Sequence, residues 1–415
     1  MFENPFVAVS PRLRVAVIAV VCSLAGLVGA ASPPAHARSL SHTRHRSCPV
    51  AVAAGHAHTR SRPPCVAGHH GRKLALRNAF GQALFGIATG STLQNEATSP
   101  ALLSRDLGDD HSAGARWIRL DINWAQIQMH GPGTYLWTYI DAAVRRAEAD
   151  GMQVLGTITY TPAWARPAST DATWGPDPQL YARFAAAAVA HYSRLGVQAY
   201  EIWNEPNSQA FWTPRPSPVA YTTLLRSAYS AIKRVDPGAT VLTGGTAPAA
   251  TDGIGYSPVS FLAGIYASGG QGSFDAVANH PYCWPAYPGA KKSWSAWYQM
   301  YGTKRSLRSL MISHGDGAKK IWATEFGAPT NGPAGTYVSK ATQAKMVTRA
   351  YRLFASYRWA GPLFFYSSRD LGSSTSTREN FFGFLTRNFA RKPSFTAYRR
   401  VMLSVRSLVM SRRAK

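Results

Sequence analysis

Several signatures that would name a function class are missing from this chain. No glycine-rich loop follows an apolar run to cradle phosphates, and no His-x-x-x-His falls on a helical stretch. A nucleotide, a flavin or a catalytic metal therefore has no motif here, and no cofactor is expected. Acidic residues are scarce: 20 Asp and Glu stand against 45 Lys and Arg, a formal charge of +25 over 415 residues. So basic a surface points to anionic surroundings such as nucleic acid, anionic lipid or an acidic polysaccharide, or else to Arg and Lys scattered over solvated helix faces. No run of five or more basic residues occurs, which argues against nucleic acid. With 46% hydrophobic and 16% charged residues, the chain has the composition of a globular protein with a sizeable core.

The N-terminus reads as an export signal. Arg12 and Arg14 form a positive region, Val15 to Ala31 is apolar and uncharged, and Ala35-His36-Ala37 offers a small-x-small cleavage site. An uncleaved anchor is the alternative, since such a stretch approaches the roughly 17–25 residues of a spanning helix. Gly26, Gly29 and Pro33-Pro34 favour cleavage. The expected organisation is a signal peptide over 1–37, a basic disordered leader over 38–78, and one catalytic domain over 79–410. The leader holds His42, His45, His56, His58, His69 and His70, whose spacing fits a solvated basic tail better than a ligand set. Export also makes a Cys48–Cys65 disulfide plausible, leaving Cys283 as the odd thiol, half-buried near the chemistry.

From Phe80 onward short apolar runs alternate with helical patterns, the rhythm of βα repeats. Eight strands are expected: 84–88, 116–121, 153–160, 197–203, 240–243, 274–280, 320–325 and 362–366. Helices are expected over 139–149, 179–195, 219–235, 339–356 and 394–408. Asp177-Pro178 and Ser217-Pro218 suit helix starts, and Asp150-Gly151 and Leu195-Gly196 suit helix stops. The fold class is α/β, a (β/α)8 TIM barrel with enlarged loops.

Glu205 and Glu325 each close one of these apolar runs, Tyr200-Glu201-Ile202-Trp203-Asn204-Glu205 and Lys320-Ile321-Trp322-Ala323-Thr324-Glu325. Ionised Glu is among the least common residues inside a protein, and a barrel places its chemistry at the C-terminal ends of its strands. Two carboxyls there, one acid and one nucleophile, are the minimum for glycoside hydrolysis. Strand two ends in Arg119-Leu120-Asp121-Ile122-Asn123-Trp124, strand three in Thr159-Tyr160-Thr161-Pro162-Ala163-Trp164, and strand six in Asn279-His280-Pro281-Tyr282. All would converge on one mouth.

Trp203-Asn204-Glu205-Pro206 and Thr324-Glu325-Phe326-Gly327 resemble the signatures of the retaining glycoside hydrolases of clan A. The resemblance covers about Phe80 to Leu408. Arg119 and His280-Pro281-Tyr282 are similar to supporting residues of family 5, and Thr161-Pro162-Ala163-Trp164 to family 39. Two departures from family 5 stand out: no His ends strand three, and Phe365-Tyr366-Ser367 stands where strand eight would end in Trp. The resemblance implies an enzyme that retains anomeric configuration, with Glu205 as acid/base, Glu325 as nucleophile and Asn204 donating to the sugar 2-hydroxyl.

Arg119 and Tyr282 are candidates to hold Glu325 ionised. A structural ion pair with Asp121 or a carboxylate at the barrel base is the other reading for Arg119, and a structural role the other for His280. Trp164, Trp174, Trp212 and Trp284 fall in loops where rings could stack on sugars, with Tyr366 also at the mouth. Trp117, Trp322 and Trp359 read as core. The expected partner is a β-linked poly- or oligosaccharide, with an anionic cell-surface polymer as a further candidate and a monomeric chain. A barrel that binds carbohydrate without cutting it is the alternative.

Overall fold

The computed structural model describes residues 84–90 and 99–411. All belong to one of the two units into which the chain divides, the one holding Ala79–Lys415. The expected signal, the basic leader with its histidines, and Cys48 and Cys65 lie outside the described residues.

Eight parallel strands close into a barrel in chain order, so the (β/α)8 expectation is met. They are β1 (Phe85–Ala88), β2 (Trp117–Asn123), β3 (Gln153–Thr159), β4 (Ala199–Asn204), β5 (Thr240–Gly245), β6 (Ala276–Asn279), β7 (Lys320–Phe326) and β8 (Ala360–Tyr366). The helices of the outer ring are α1 (Pro100–Ala113), α2 (Thr138–Ala149), α3 (Pro178–Tyr192), α4 (Pro218–Val235), α5 (Pro258–Ala267), α6 (Leu307–Ser313), α7 (Lys340–Ser356) and α8 (Pro393–Ser411). Sequence reading left α1, α5 and α6 unplaced. The sequence of α5, PVSFLAGIYA, is apolar on nearly every side and shows no helical stripe, while α6 has seven residues.

The start signals act as expected. Asp177 accepts from the backbone of Gln179 and Leu180 at 2.9 and 2.8 Å, and Ser217 accepts from Ala220 N at 3.2 Å. Each such cap stabilises its helix by roughly 1 kcal/mol. Strand alternation divides the core in two. Outward residues such as Ile118, Val154, Ile202, Val241, Ile321 and Phe365 pack under the helices. Inward residues Ala88, Leu155, Ala199, Leu242, Ala276, Ala278, Trp322 and Phe364, with Trp117, fill the floor of the barrel. Side chains fill the floor, and the polar inward residues gather toward the opposite end.

Candidate active site

Simple alternation would not deliver Glu205. In β4, Ala199 and Glu201 point inward while Tyr200 and Ile202 point outward. Then Trp203 takes a φ of 73° and Glu205 a φ of 47°. This left-handed backbone costs a non-glycine residue about 1–3 kcal/mol and persists only where the surroundings enforce it. The break sends Trp203 into the outer core, its Nε1 donating to Phe211 O at 2.8 Å, and turns Asn204 and Glu205 into the mouth. Tyr221 of α4 holds the break, donating to Ile202 O at 2.9 Å and accepting from Gly244 N at 2.6 Å. In β7 the register against β8 shifts between Ala323 and Phe326, and Glu325 lies within that irregularity.

One guanidinium ties these pieces together. Arg119 donates through Nε to Glu201 Oε2 at 2.6 Å, through one terminal nitrogen to Glu325 Oε1 at 2.7 Å, and through the other to Asn204 Oδ1 at 2.7 Å. Arg119 thus pairs with Glu325 and also with a buried carboxylate, but that carboxylate is Glu201 at the mouth, neither Asp121 nor a residue of the barrel base. Glu201 is fully buried and also accepts from Thr157 Oγ1, Gly245 N and Thr324 Oγ1 at 3.0, 2.7 and 3.0 Å. A buried ion pair holds only with such saturation of its oxygens. Because a guanidinium only donates, the oxygen of Asn204 must face it, and the NH2 is turned away, free to donate to another group.

Glu205 and Glu325 meet across His280. Nδ1 of His280 lies 2.8 Å from Glu205 Oε1 and 3.6 Å from Glu325 Oε2. Tyr282 donates its hydroxyl to Glu325 Oε2 at 2.8 Å. Nε2 of His280 is buried without a hydrogen-bond partner. Leaving an acceptor unpaired there is less costly than burying an unpaired N–H, so the proton belongs on Nδ1. Burial pushes the His280 pKa down, which keeps the ring neutral. The ring fits because residue 245 is glycine: a Cβ there would overlap His280 Nε2.

The two catalytic candidates differ in surroundings. Burial raises the Glu205 pKa to about 8, with Arg119 working against the rise. Glu325 instead accepts from a cation and a phenol. One oxygen from each glutamate and a His280 nitrogen all lie within 4.8 Å of one another. That spacing would suit a metal, but the Arg119 guanidinium already sits on Glu325, bringing a cation to where an ion's charge would lie.

Tyr366 is half-buried beside this group, packed on Gly90 and 5.4 Å from the Phe382 ring. The tryptophan expectation is corrected for two residues. Trp284 is 4% exposed, enclosed by Tyr282, Phe382 and the Arg378 guanidinium, so it buttresses Tyr282 and offers no open face to a sugar. Trp212, also 4% exposed, packs on Trp203 and Tyr221 in the outer core. Trp164 is half-buried, donating to Gln128 O at 2.6 Å and set edge-on to Trp124. Cys283 is fully buried rather than half-buried, and its thiol pKa is pushed up by desolvation.

Sequence reasoning missed Glu201. Tyr160, expected at the mouth, follows β3 with a φ of 67°, and burial and the charges of Asp121 and Glu325 push its pKa up. Glu201 had a signal: it follows Ala199 by two, so both share the inner face, where a carboxylate must find a cation.

Two close carboxyls at the C-terminal end of a (β/α)8 barrel, one against an imidazole and one paired with Arg119, are the arrangement glycoside hydrolysis requires. Residues 104–360 match the model of the cellulase family, glycosyl hydrolase family 5, and the chain belongs to that family. Among curated proteins, none matches it in sequence. Its fold is similar to a family 39 glycoside hydrolase from Bacteroides cellulosilyticus WH2, at 22% identity and TM-score 0.59 over 78% of this chain and 64% of that one, so it spans less than two thirds of that protein. It is also similar to GH5_18 from Streptomyces cattleya, solved with GlcNAc, at 17% identity and TM-score 0.56 over 78% and 80% of the chains. At these identities the likeness is one of fold.

Proposed function

We propose that this protein is an exported, retaining glycosidase that cleaves a β-linked poly- or oligosaccharide. The observation that carries the reading is the closeness of the Glu205 and Glu325 carboxyls, within 4.8 Å at the oxygens that also meet His280. Retaining enzymes hold their carboxyls about 5–5.5 Å apart, whereas inverting ones leave about 6.5–9.5 Å for a water.

Glu325 attacks the anomeric carbon as the bond to the leaving oxygen breaks, and Glu205 gives that oxygen its proton. Glu205, now ionised, takes a proton from water as the water oxygen bonds to the anomeric carbon, and the ester to Glu325 breaks. The raised pKa of Glu205 supplies the acid for the first step near neutral pH. Arg119 and Tyr282 hold Glu325 in place through hydrogen bonds to its two oxygens, and the Asn204 NH2 is positioned to donate to the 2-hydroxyl. A barrel that bound sugar without cutting it would have no use for this difference between two adjacent carboxyls.

Export is supported by Arg12, Arg14, the apolar stretch to Ala31 and the Ala35-His36-Ala37 site. N-terminal sequencing of secreted protein should begin at Arg38. The mechanism is tested with 2-deoxy-2-fluoro glycosides bearing a good leaving group, which should leave a sugar esterified to Glu325, located by peptide mass mapping. An active enzyme that carries the label elsewhere would overturn the assignment.

A further inference from the structure

On the outer ring, α7 and α8 enclose a groove of about 990 Å³ whose walls carry positive charge. The α7 wall presents Lys345, Arg349 and Arg352, spaced i, i+4 and i+7, so the three share one helix face over about 10 Å of rise. Arg400 stands on the α8 wall, and all four side chains are exposed. Neither helix contains an Asp or a Glu, and among the described residues no carboxylate pairs with any of the four. Other helices of the ring are arranged differently. On α2, Arg145 and Arg146 each pair with an aspartate one turn away, Asp141 and Asp150, and Lys233 of α4 pairs with Asp275.

The walls are fixed before anything binds. Tyr351 of α7 and Tyr398 of α8 pack edge to face with centroids 5.0 Å apart, and both donate to Gly86 O, at 3.0 and 3.2 Å, which ties each helix to β1. Ser394 donates to Gln343 Oε1 at 2.7 Å, joining the start of α8 to the first turn of α7. Arg349 donates through Nε to Pro288 O at 2.6 Å, so the loop after β6 holds one of the cations in place.

Charge and shape select the occupant. The chain's own segment 38–78 carries Arg and Lys with no Asp or Glu, so like charge repels it, and a second copy offering the same face is repelled in the same way. Single-stranded nucleic acid is gripped by aromatic rings that stack its bases, and no aromatic side chain lines the groove among the described residues. A lipid surface is flat, whereas charges set on opposite walls of a groove face a chain lying between them. A linear glycan matches the rest of the lining: Leu353 and Val401 offer apolar contact to sugar faces, and Thr348 and Thr396 offer hydroxyls. We propose that the groove between α7 and α8 is a docking site for a linear acidic polysaccharide, apart from the reaction centre, whose carboxylates pair with Lys345, Arg349, Arg352 and Arg400. The site does not depend on the glycosidase reading. A polymer held there tethers the protein by its outer wall.

The test titrates the full chain with polygalacturonate at low ionic strength, with the fully methyl-esterified polymer as the uncharged control. The acid should bind and the ester should not, and physiological salt should weaken binding by about tenfold or more. Arg352→Glu combined with Arg400→Glu should weaken it by about tenfold or more at unchanged thermal unfolding, and the milder Arg352→Gln with Arg400→Gln by about threefold. Arg183→Glu with Arg226→Glu, which changes the net charge equally at exposed positions of α3 and α4, should weaken it by less than about twofold. Equal losses from the two Glu pairs would show that overall charge does the binding and would overturn the proposal, as would no binding of polygalacturonate at all. Tighter binding of oligo(dT) or of phosphatidylglycerol vesicles, lost in Arg352→Glu with Arg400→Glu, would overturn the acidic polysaccharide as the occupant.

Discussion

The floor and the mouth of this barrel are built from the same eight strands and follow different rules. Along β2, Trp117 belongs to the floor and Arg119 to the mouth; along β4 it is Ala199 and Glu201; along β7, Trp322 and Thr324. At the floor, Trp117 meets Trp322 at 5.2 Å and Phe364 at 6.3 Å, and shape complementarity does the holding. Two residues higher, the inward positions carry a charge or a hydroxyl, and a saturated hydrogen-bond network does it. The floor contributes stability from contacts that tolerate no polar group, and the mouth keeps polar groups buried at a cost so that they stand ready for the reaction. Loss at one end should register as unfolding and at the other as lost rate.

The largest effect should come from the mouth. Glu325→Ala is expected to lower kcat by at least about 10,000-fold without loosening the fold, and azide should restore turnover with inverted product as the small anion fills the vacated place. Full activity in that variant would reassign the nucleophile. Next, Glu205→Gln should slow substrates with poor leaving groups by about 100- to 10,000-fold while sparing those with activated ones. In the wild type, the acid is protonated below its pKa of about 8, so cleavage of unactivated substrates should fall as pH rises through about 8, and Glu205→Gln should lose that limb of the profile.

A matched pair then separates the two ends. Trp322→Ala opens a cavity in the floor and should cost about 3–5 kcal/mol in denaturant unfolding, leaving the alkaline limb near pH 8 in place. Glu201→Gln breaks a buried pair under Arg119 and should cost a similar amount, about 3–5 kcal/mol, but should also depress kcat because Arg119 loses its anchor. If both variants changed only stability, the network around Arg119 would be a second floor. The smallest effect concerns salt. Cleavage of a neutral substrate should change less than about twofold between low and physiological ionic strength, where screening sets in over about 8 Å. A steep fall would show that the basic exterior reaches the substrate after all.

The floor was the more legible end. Short apolar runs set between helical patterns, and the helix punctuation of Asp177-Pro178 and Ser217-Pro218, are local signals, and they placed the eight strands to within a few residues. Glu205 and Glu325 were also legible, because a carboxylate ending an apolar run has few structural explanations. What stood around them was less so. The left-handed turn at Trp203 and Glu205 is enforced by Tyr221 on α4 and by β5, contacts that no local pattern reveals. Trp284 and Trp212 sit in loops, and their burial depends on how the loops fold back: Trp284 goes under Arg378, Trp212 against Trp203. Lys392 shows the same limit. One of the chain's many basic residues, it stands just before α8 yet is buried, its Nζ donating to Asp370 Oδ1 at 2.7 Å and to Thr330 Oγ1 at 2.9 Å.

The interlock of the loops after β6, β7 and β8 bears on how such a protein can diverge. Trp284 is roofed by a residue two loops away, Gly332 is obliged to be small by Arg378, and Thr330 and Lys392 share the carbonyl of Phe381. A graft of any one loop from a relative would import a surface cut for other neighbours, so this wall of the mouth is inherited, and would have to be exchanged, as a single block. The loop after β4, with Asn207 binding Ala247 and Tyr256, answers to a different side of the barrel. Variation there can accumulate on its own schedule.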